Sequence, residues 1–154
     1  MKKKVLVIAL AVAMLALPVS AAFATKPEIV VEGKFFWTGL PVLDVEKETP
    51  NGGILRGTVP LMYTGSFEGP AVGEFIWNVH PKQEEPGVTG NNLHTIDTAS
   101  GSLVLLLTMG NGKWRIISGT GDYENIHGKG TLMSDESTPA PMDFIYTGTV
   151  HFDP

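Results

Sequence analysis

The sequence predicts an all-β protein, an eight-stranded antiparallel up-and-down barrel that follows an N-terminal export signal. Three observations support this fold class. No window of the chain after the signal carries apolar residues at helical spacing between helix caps. Short runs of alternating apolar and polar residues recur instead, and they are rich in Val, Thr and aromatic residues. Turn signals separate these runs, in a chain with 18 glycines and 11 prolines.

Residues 1–24 have the three parts of an export signal. Three lysines follow Met1, residues 5–17 form an unbroken apolar run of 13, and residues 22–24 (Ala-Phe-Ala) offer the small-x-small pattern of a cleavage site. The apolar run is shorter than the roughly 20 residues of a membrane-spanning helix, so an uncleaved anchor is the weaker alternative. We therefore expect a signal peptide cleaved after Ala24, a single domain over residues 25–154, and a secreted, periplasmic or cell-envelope location.

Composition excludes several classes of function. The chain has no cysteine, which removes disulfides, thiolate metal sites, cysteine nucleophiles and a lipid-anchoring cysteine. Three of the 11 Lys and Arg lie in residues 1–24 and all 16 Asp and Glu follow them, so the mature chain has a net charge of −8. Such a chain repels phosphate backbones and anionic lipid surfaces. We therefore expect no nucleic-acid partner and no membrane insertion after signal cleavage.

The sequence pattern in the first half of the domain predicts three strands. Residues 28–38 alternate apolar and polar side chains and form the first strand. Residues 40–53, with two prolines and Asn-Gly-Gly at the end, predict a loop. Residues 54–68 predict a second strand that is broken or bulged at Pro60, because proline cannot donate to a ladder. A Gly-Pro turn then leads into the third strand at residues 72–80.

The second half adds five strands after a polar loop over residues 81–90. Asn111-Gly112 is the strongest hairpin signal in the chain. Eight antiparallel strands can close into a barrel that has no edges and that holds side chains or one small ligand inside. A two-sheet sandwich is the alternative closure. The predicted strands cover residues 92–98, 102–109 (apolar on both faces, hence central or doubly covered), 113–118, 130–133 and 143–152.

Residues 118–131 (SGTGDYENIHGKGT) resemble a signature of the allene oxide cyclase and dirigent barrel superfamily, in which a strand ends in a Gly-Thr-Gly-x-aromatic turn and restarts after x-Gly-x-Gly. Residues 63–69 and 100–104 resemble strands of uncharacterised bacterial members. The resemblance spans about residues 60–152 and implies the same barrel, with Tyr123 plugging one end above Ile126. Members of the superfamily steer radical coupling or close a ring, but no catalytic residue carries over to this chain.

Other motifs do not assemble a reactive site. The four histidines, at positions 80, 94, 127 and 151, are widely spaced, and we expect them at the surface or in turns. His94 and His151 could meet if their strands are neighbours. No Gly-x-Ser-x-Gly elbow occurs, and the glycines at 110–112 and 119–121 open no helix that could cradle a phosphate. We expect no metal and no cofactor.

Aromatic residues are the candidate ligand-binding set. If the apolar side of each strand faces the interior, their rings meet inside the barrel, where they either fill the core or line a pocket at one mouth. Carboxylates buried beside them would have raised pKa values. Whether Glu74, Arg115 or Asp97 is buried stays open, although the first two alternate with aromatic residues and are expected to face solvent. The candidate interior residues are Trp37, Tyr63, Phe75, Trp77, Trp114 and Tyr146.

Three functions are compatible with this barrel. The first is an exported module that binds a small, largely apolar molecule in the barrel interior. The second is a cyclase or isomerase that confines a reactive molecule, with one acid–base residue among Glu74, Asp97 and Tyr146. The third is a structural or interaction barrel with a filled interior.

Overall fold

A computed structural model describes residues 26–49, 52–80, 87–137 and 143–154. The export segment and its expected cleavage site lie outside these residues. Among the described residues there are nine strands and a single turn of 3₁₀ helix at Gly121–Tyr123, and no helix there is long and apolar enough to cross a membrane. The strands are β1 (Ile29–Trp37), β2 (Val42–Thr49), β3 (Gly52–Gly65), β4 (Gly69–His80), β5 (Gly87–Thr98), β6 (Gly101–Met109), β7 (Lys113–Gly119), β8 (Ile126–Ser134) and β9 (Phe144–Phe152).

Eight of the strands close into an antiparallel barrel, which confirms the predicted fold. The sheet runs β1-β9-β8-β7-β6-β5-β4-β3-β2, and a further pairing of β1 with β3 closes it. That pairing joins Gly33 to Gly65 and continues to Trp37 opposite Leu61. Each strand from β3 to β9 pairs with the next one along the chain, so the barrel is up-and-down and not a two-sheet sandwich.

Strand β2 corrects the predicted loop over residues 40–53. It pairs antiparallel with the first half of β3, from Thr58 back to Gly52. The physical reason lies in the length of β3, which has 14 residues while β1 pairs with only its last five. The first half of β3 therefore has an edge that β1 leaves free, and β2 occupies it as a ninth strand outside the barrel. The prolines and glycines that indicated a loop flank this strand.

Strand β3 is continuous through Pro60, so the predicted break is wrong. Its register with β4 runs without a shift from Gly53 opposite Val79 to Tyr63 opposite Gly69. The carbonyl oxygen of Pro60 accepts a bond of 3.0 Å from the backbone N–H of Thr38, so the nitrogen of Pro60 faces the same side. On that side β2 pairing ends at Thr58 and β1 pairing begins at Leu61. Proline is accommodated because no ladder hydrogen bond is needed at this position.

Two strands begin four or five residues earlier than predicted, and β6 lies where expected. Strand β5 starts at Gly87 and β8 at Ile126, because glycines within both strands pair in register and do not interrupt the ladder. Strand β6 lies between β5 and β7, with Leu103, Leu105 and Leu107 buried inward. The outward-facing Val104 and Leu106 are only half-buried, so β6 is central in the sheet without being covered on its outer face.

Large aromatic rings pack against inward-facing glycines, and this fills the middle of the barrel. A Cβ atom at Gly130 or Gly148 would lie within 2.6 Å of the ring of Trp114, and one at Gly33 would lie 2.4 Å from the hydroxyl of Tyr146. A small barrel has room for such rings only where a neighbouring strand contributes no side chain. At the end opposite the cavity described below, Phe67 stacks on Tyr146 at 5.4 Å.

The end near the 3₁₀ turn is closed as the sequence predicted. Ile126 is 4 % exposed, and the half-buried Tyr123 packs on the core. A Cβ at Gly119 would lie 2.2 Å from the carbonyl oxygen of Tyr123, so this glycine permits the close turn. The interior cavity described below lies towards the other end.

Candidate functional site

A cavity of about 160 Å³ lies inside the barrel at its open end. Alternate residues of seven strands point into it, because antiparallel strands that run up and down bring opposite chain ends to one rim. A closed cavity of roughly 150 Å³ holds a molecule the size of benzene, and this one opens at the rim, so that part of a larger ligand can extend out of it. The lining consists of Phe35, Trp37, Val59, Trp77, Val88, Asn92, His94, Leu107, Met109, Leu132 and Phe144.

Stacked aromatic rings form the floor and two walls of this cavity. The ring of Phe35 lies between those of Tyr63 and Phe144, at centroid distances of 4.9 and 5.1 Å. The indole of Trp77 stacks on Phe75 at 4.2 Å. Offset stacking of this kind holds flat rings in defined orientations. The cavity therefore has fixed apolar walls.

A histidine and a tyrosine form a buried hydrogen-bonded pair below the cavity. Nδ1 of His94 lies 2.6 Å from the hydroxyl of Tyr63, and the two side chains are 2 % and 1 % exposed. Burial lowers the pKa of His94 from 6.5 to about 3, because a charged imidazole would lose its hydration there. Burial, together with the nearby Tyr146, raises the pKa of Tyr63 well above 10.0. Both groups are therefore neutral across the physiological range.

A second polar pair lies nearer the rim. The indole Nε1–H of Trp77 donates to Oδ1 of Asn92 over 2.7 Å. Asn92 is 9 % exposed and lies two residues before His94 on β5, so both side chains point inward. The cavity thus has one polar stripe along β5 between apolar walls.

The structure divides the six predicted interior residues between the cavity and the core. Trp37 and Trp77 line the cavity and are partly buried. The other four are at most 3 % exposed and lie in the packed core: Tyr63, Phe75, Trp114 and Tyr146. Tyr63 and Phe75 support the lining from below through the contacts just described. Trp114 lies deeper, where its Nε1–H donates to the carbonyl oxygen of Thr147 over 3.1 Å.

None of the three predicted acid–base residues reaches the cavity. Glu74 and Asp97 are exposed on the outer face, as is Arg115. The Tyr146 hydroxyl accepts the backbone N–H of Phe67 at 2.8 Å and donates to the carbonyl oxygen of Thr64 at 3.1 Å. Burial is the main cause that raises its pKa to about 12. No Asp or Glu of the described residues lines the cavity. The hypothesis of a cyclase or isomerase therefore lacks a carboxylic acid–base group at this site.

The histidine prediction is wrong for His94, which is buried in the interior. Its strand carries Leu93 and Ile96 on opposite faces, so the alternation did not reveal which face points inward. His151 lies opposite His127 instead of His94, with ring centroids 5.6 Å apart. Both rings lie within 3.6 Å of Asp153 on the surface. No group of three or more potential ligands in the described part of the chain is arranged to hold a metal ion.

A wider groove lies outside the barrel, between β2 and the outer face of β3 to β6. It measures about 520 Å³ and includes Arg56, Glu74, Ile76, Leu93 and Leu106 in its lining. This groove is open to solvent along its length, whereas the interior cavity is walled by the barrel. The interior cavity is therefore the better candidate site for a small molecule.

Comparison with solved structures finds one protein of the same fold and two weaker matches. A DUF3224-family protein of unknown function from Shewanella oneidensis MR-1 matches with a TM-score of 0.62 and 15% identity, over 83% of this chain and 99% of its own. Two pterocarpan synthase dirigent proteins match with TM-scores of 0.48 and identities of 19% and 18%, over 88% and 86% of this chain and 95% and 100% of theirs. No family model matches the chain, and no curated protein matches it significantly in sequence. The predicted eight-stranded antiparallel barrel is confirmed as the fold, and this chain shares that fold with the DUF3224-family protein.

Proposed function

We propose that this protein is an exported barrel that binds a small, largely apolar molecule in the cavity at its open end. The observation that carries the proposal is the cavity of about 160 Å³ enclosed by apolar and aromatic side chains. A core whose only role is structural is packed to the density of an organic crystal and leaves few voids larger than a water molecule. A ring-sized space at the rim, with fixed walls and two polar side chains, has the usual character of a ligand pocket.

Binding is tested with the neutral fluorescent probe N-phenyl-1-naphthylamine, whose emission rises in apolar surroundings. Titration of the mature protein should give a saturable increase with one site per chain. Leu132→Trp should abolish it, because Leu132 lines the cavity and the larger side chain fills it. Met133→Trp is the matched control, since the next residue is 58% exposed and faces outward. It should bind the probe like the wild type.

The barrel would be only structural if the wild type does not bind the probe and retains nothing from a cell extract by native mass spectrometry. Equal binding by wild type and Leu132→Trp would place the probe outside the cavity and would contradict the proposed site. Either result leaves the fold intact, which circular dichroism of each variant verifies.

Export is tested on the full-length chain in a bacterial host. The motif at residues 22–24 supports cleavage after Ala24, so intact mass spectrometry of the exported fraction should give a chain that begins at Thr25. Ala24→Tyr places a large side chain next to the cleaved bond and should leave the signal attached. A full-length wild-type chain embedded in the membrane or retained in the cytosol would contradict the proposal.

A further inference from the structure

Two side chains on β5 place polar nitrogen atoms at the interior cavity. Asn92 and His94 lie on the inward face, about 7 Å apart along the strand. Every other lining residue is aliphatic, aromatic or methionine, and the indole N–H groups of Trp37 and Trp77 are the further side-chain donors among them. Because the indole N–H of Trp77 already donates to Asn92, the hydrogen-bonding capacity of Asn92 and His94 is the main determinant of which ligand atoms the cavity can satisfy.

The hydrogen bond to Tyr63 determines which nitrogen of His94 carries the proton. The Tyr63 hydroxyl is buried, and among the described residues its one partner is Nδ1 of His94, at 2.6 Å. A buried hydroxyl proton must find an acceptor, so Tyr63 donates and Nδ1 accepts. The imidazole is neutral, so its own proton lies on Nε2. His94 is therefore a hydrogen-bond donor at Nε2.

Nε2 is also the atom of His94 that reaches accessible space. No described residue bonds it, and no side-chain polar atom in the described part of the chain is both shut off from solvent and without a partner. His94 lines the cavity. The imidazole edge that bears Nε2 lies over Gly73 of β4, where a Cβ atom would be only 3.0 Å away. The absence of a side chain at Gly73 thus lets the imidazole pack against the backbone of β4.

The bond to Trp77 orients Asn92 in the same way. An indole nitrogen can only donate, so the atom of Asn92 that lies 2.7 Å from it must be the carbonyl oxygen. The amide group has its NH₂ at the opposite corner. One of the two lone pairs on the single strong side-chain acceptor of the lining is therefore occupied, and most of the free capacity of the two β5 side chains is donor capacity.

We propose that the cavity selects uncharged ring compounds that carry a carbonyl oxygen, which accepts hydrogen bonds from Nε2 of His94 and the NH₂ of Asn92. The inference rests on the proposed binding function and specifies its ligand class. The ring packs against Phe35, Phe144 and the two tryptophans of the wall. A carboxylate is disfavoured because no cation lines the cavity among the described residues and its burial would be costly. A hydrocarbon of the same shape leaves both donors unpaired.

Three monocyclic compounds of similar size test the proposal: acetophenone, ethylbenzene and benzoate. Their affinities are measured by displacement of the naphthylamine probe at pH 7. Acetophenone should bind about tenfold more tightly than ethylbenzene, the factor that corresponds to one or two net hydrogen bonds, and benzoate should bind most weakly. Nitrogen NMR of the histidine rings should show Nε2 protonated in free protein, and acetophenone should shift that N–H signal downfield.

Variants separate the roles of the two donors. Replacement of both buried partners in Tyr63→Phe/His94→Phe leaves no unpaired polar atom, so the domain is expected to fold. The acetophenone to ethylbenzene affinity ratio should then fall part of the way towards one, because the Asn92 donor remains, and Asn92→Leu should likewise lower it part of the way. Asn91→Leu is the control, because Asn91 is exposed on the outer face, and it should keep the wild-type ratio.

The possible results distinguish this inference from the proposed function. Equal wild-type affinities for acetophenone and ethylbenzene, tightest binding of benzoate, or a proton on Nδ1 of His94 would each overturn the donor inference while apolar binding stands. A ratio retained in the Tyr63→Phe/His94→Phe variant would also overturn it. Failure of all three compounds and of the probe to bind would instead refute the proposed function itself.

Discussion

The hydroxyl of Tyr63 and Nδ1 of His94 are joined across two strands by a hydrogen bond of 2.6 Å in the barrel interior. Tyr63 lies on β3 and His94 on β5, so the bond spans β4 at Gly73, where no side chain intervenes. It satisfies one polar atom on each residue in a region that excludes water. The relationship determines the protonation of the histidine and couples it to the stability of the fold.

The free energy of unfolding should fall as the pH is lowered from about 6.5 to 3. The unfolded chain takes up a proton at His94 near pH 6.5, whereas the folded chain takes it up only near pH 3. The unfolded state therefore binds more protons in this window, and stability decreases by up to about 1.4 kcal/mol per pH unit. Tyr63 is the titratable group that faces the ring, and it stays neutral here because its pKa is raised.

Urea denaturation at pH 7, 6, 5 and 4 measures this slope. Below about pH 5 the lowered pKa values of Asp135 and Asp153 add a second loss, since both carboxylates are stabilised by lysines in the folded state. The range from pH 5 to 6.5 therefore isolates His94. His94→Gln should flatten the slope there. A slope unchanged in that variant would show that another group is responsible.

A double-mutant cycle should show strong coupling between Tyr63 and His94. Tyr63→Phe alone leaves Nδ1 of His94 without a partner, and His94→Phe alone strands the tyrosine hydroxyl, so each should cost about 1–3 kcal/mol beyond any packing change. The double variant removes both unpaired atoms and should cost less than the sum of the two single variants. Denaturant unfolding followed by circular dichroism gives all four values. Additive losses would mean that the hydrogen bond contributes no coupling.

Trp114→Ala should destabilise the domain more than Trp77→Ala. Trp114 is 3% exposed and packs at right angles against the rings of Phe67 and Tyr146, so its removal leaves a closed cavity at a cost of about 3–5 kcal/mol. Trp77 is only partly buried at the cavity wall, and water can enter the space that it leaves. For binding of the naphthylamine probe we expect the opposite order: Trp77→Ala should weaken binding more than Trp114→Ala does. Equal losses of stability would mean that Trp77 belongs to the closed core.

Gly130→Ala should be as disruptive as a core cavity. The added Cβ would lie 1.9 Å from the carbonyl oxygen of Thr147 and 2.6 Å from the ring of Trp114, so the strand and the ring must both shift. Such overpacking typically costs about 1–3 kcal/mol or more. Gly130→Ala combined with Trp114→Leu should lose less stability than the two changes summed, because the smaller side chain yields to the methyl group. If the losses of stability in thermal unfolding are strictly additive, the destabilisation by Gly130→Ala comes from its contact with the carbonyl oxygen of Thr147 and not from the ring of Trp114.

The sequence by itself determined the fold class, the number of barrel strands and most of their bounds, because these depend on local alternation and turn residues. It also placed Trp37 and Trp77 on inward-facing positions, since period-two alternation fixes the face of a strand once one face is clearly apolar. The same logic failed at His94, whose strand carries apolar residues on both faces.

Only the tertiary structure decided which aromatic residues fill the core and which border a space. That division depends on where inward glycines of one strand meet rings of another, as at Gly148 and Trp114, and such pairs are distant in sequence. It also decided that residues 42–49 form a strand, because the free edge of β3 exists only after β1 has paired with its other half. The donor character of His94 and Asn92 on β5 could also be recognised only in the tertiary structure. Their protonation and orientation are set by Tyr63 and Trp77, partners that the register of three strands brings together.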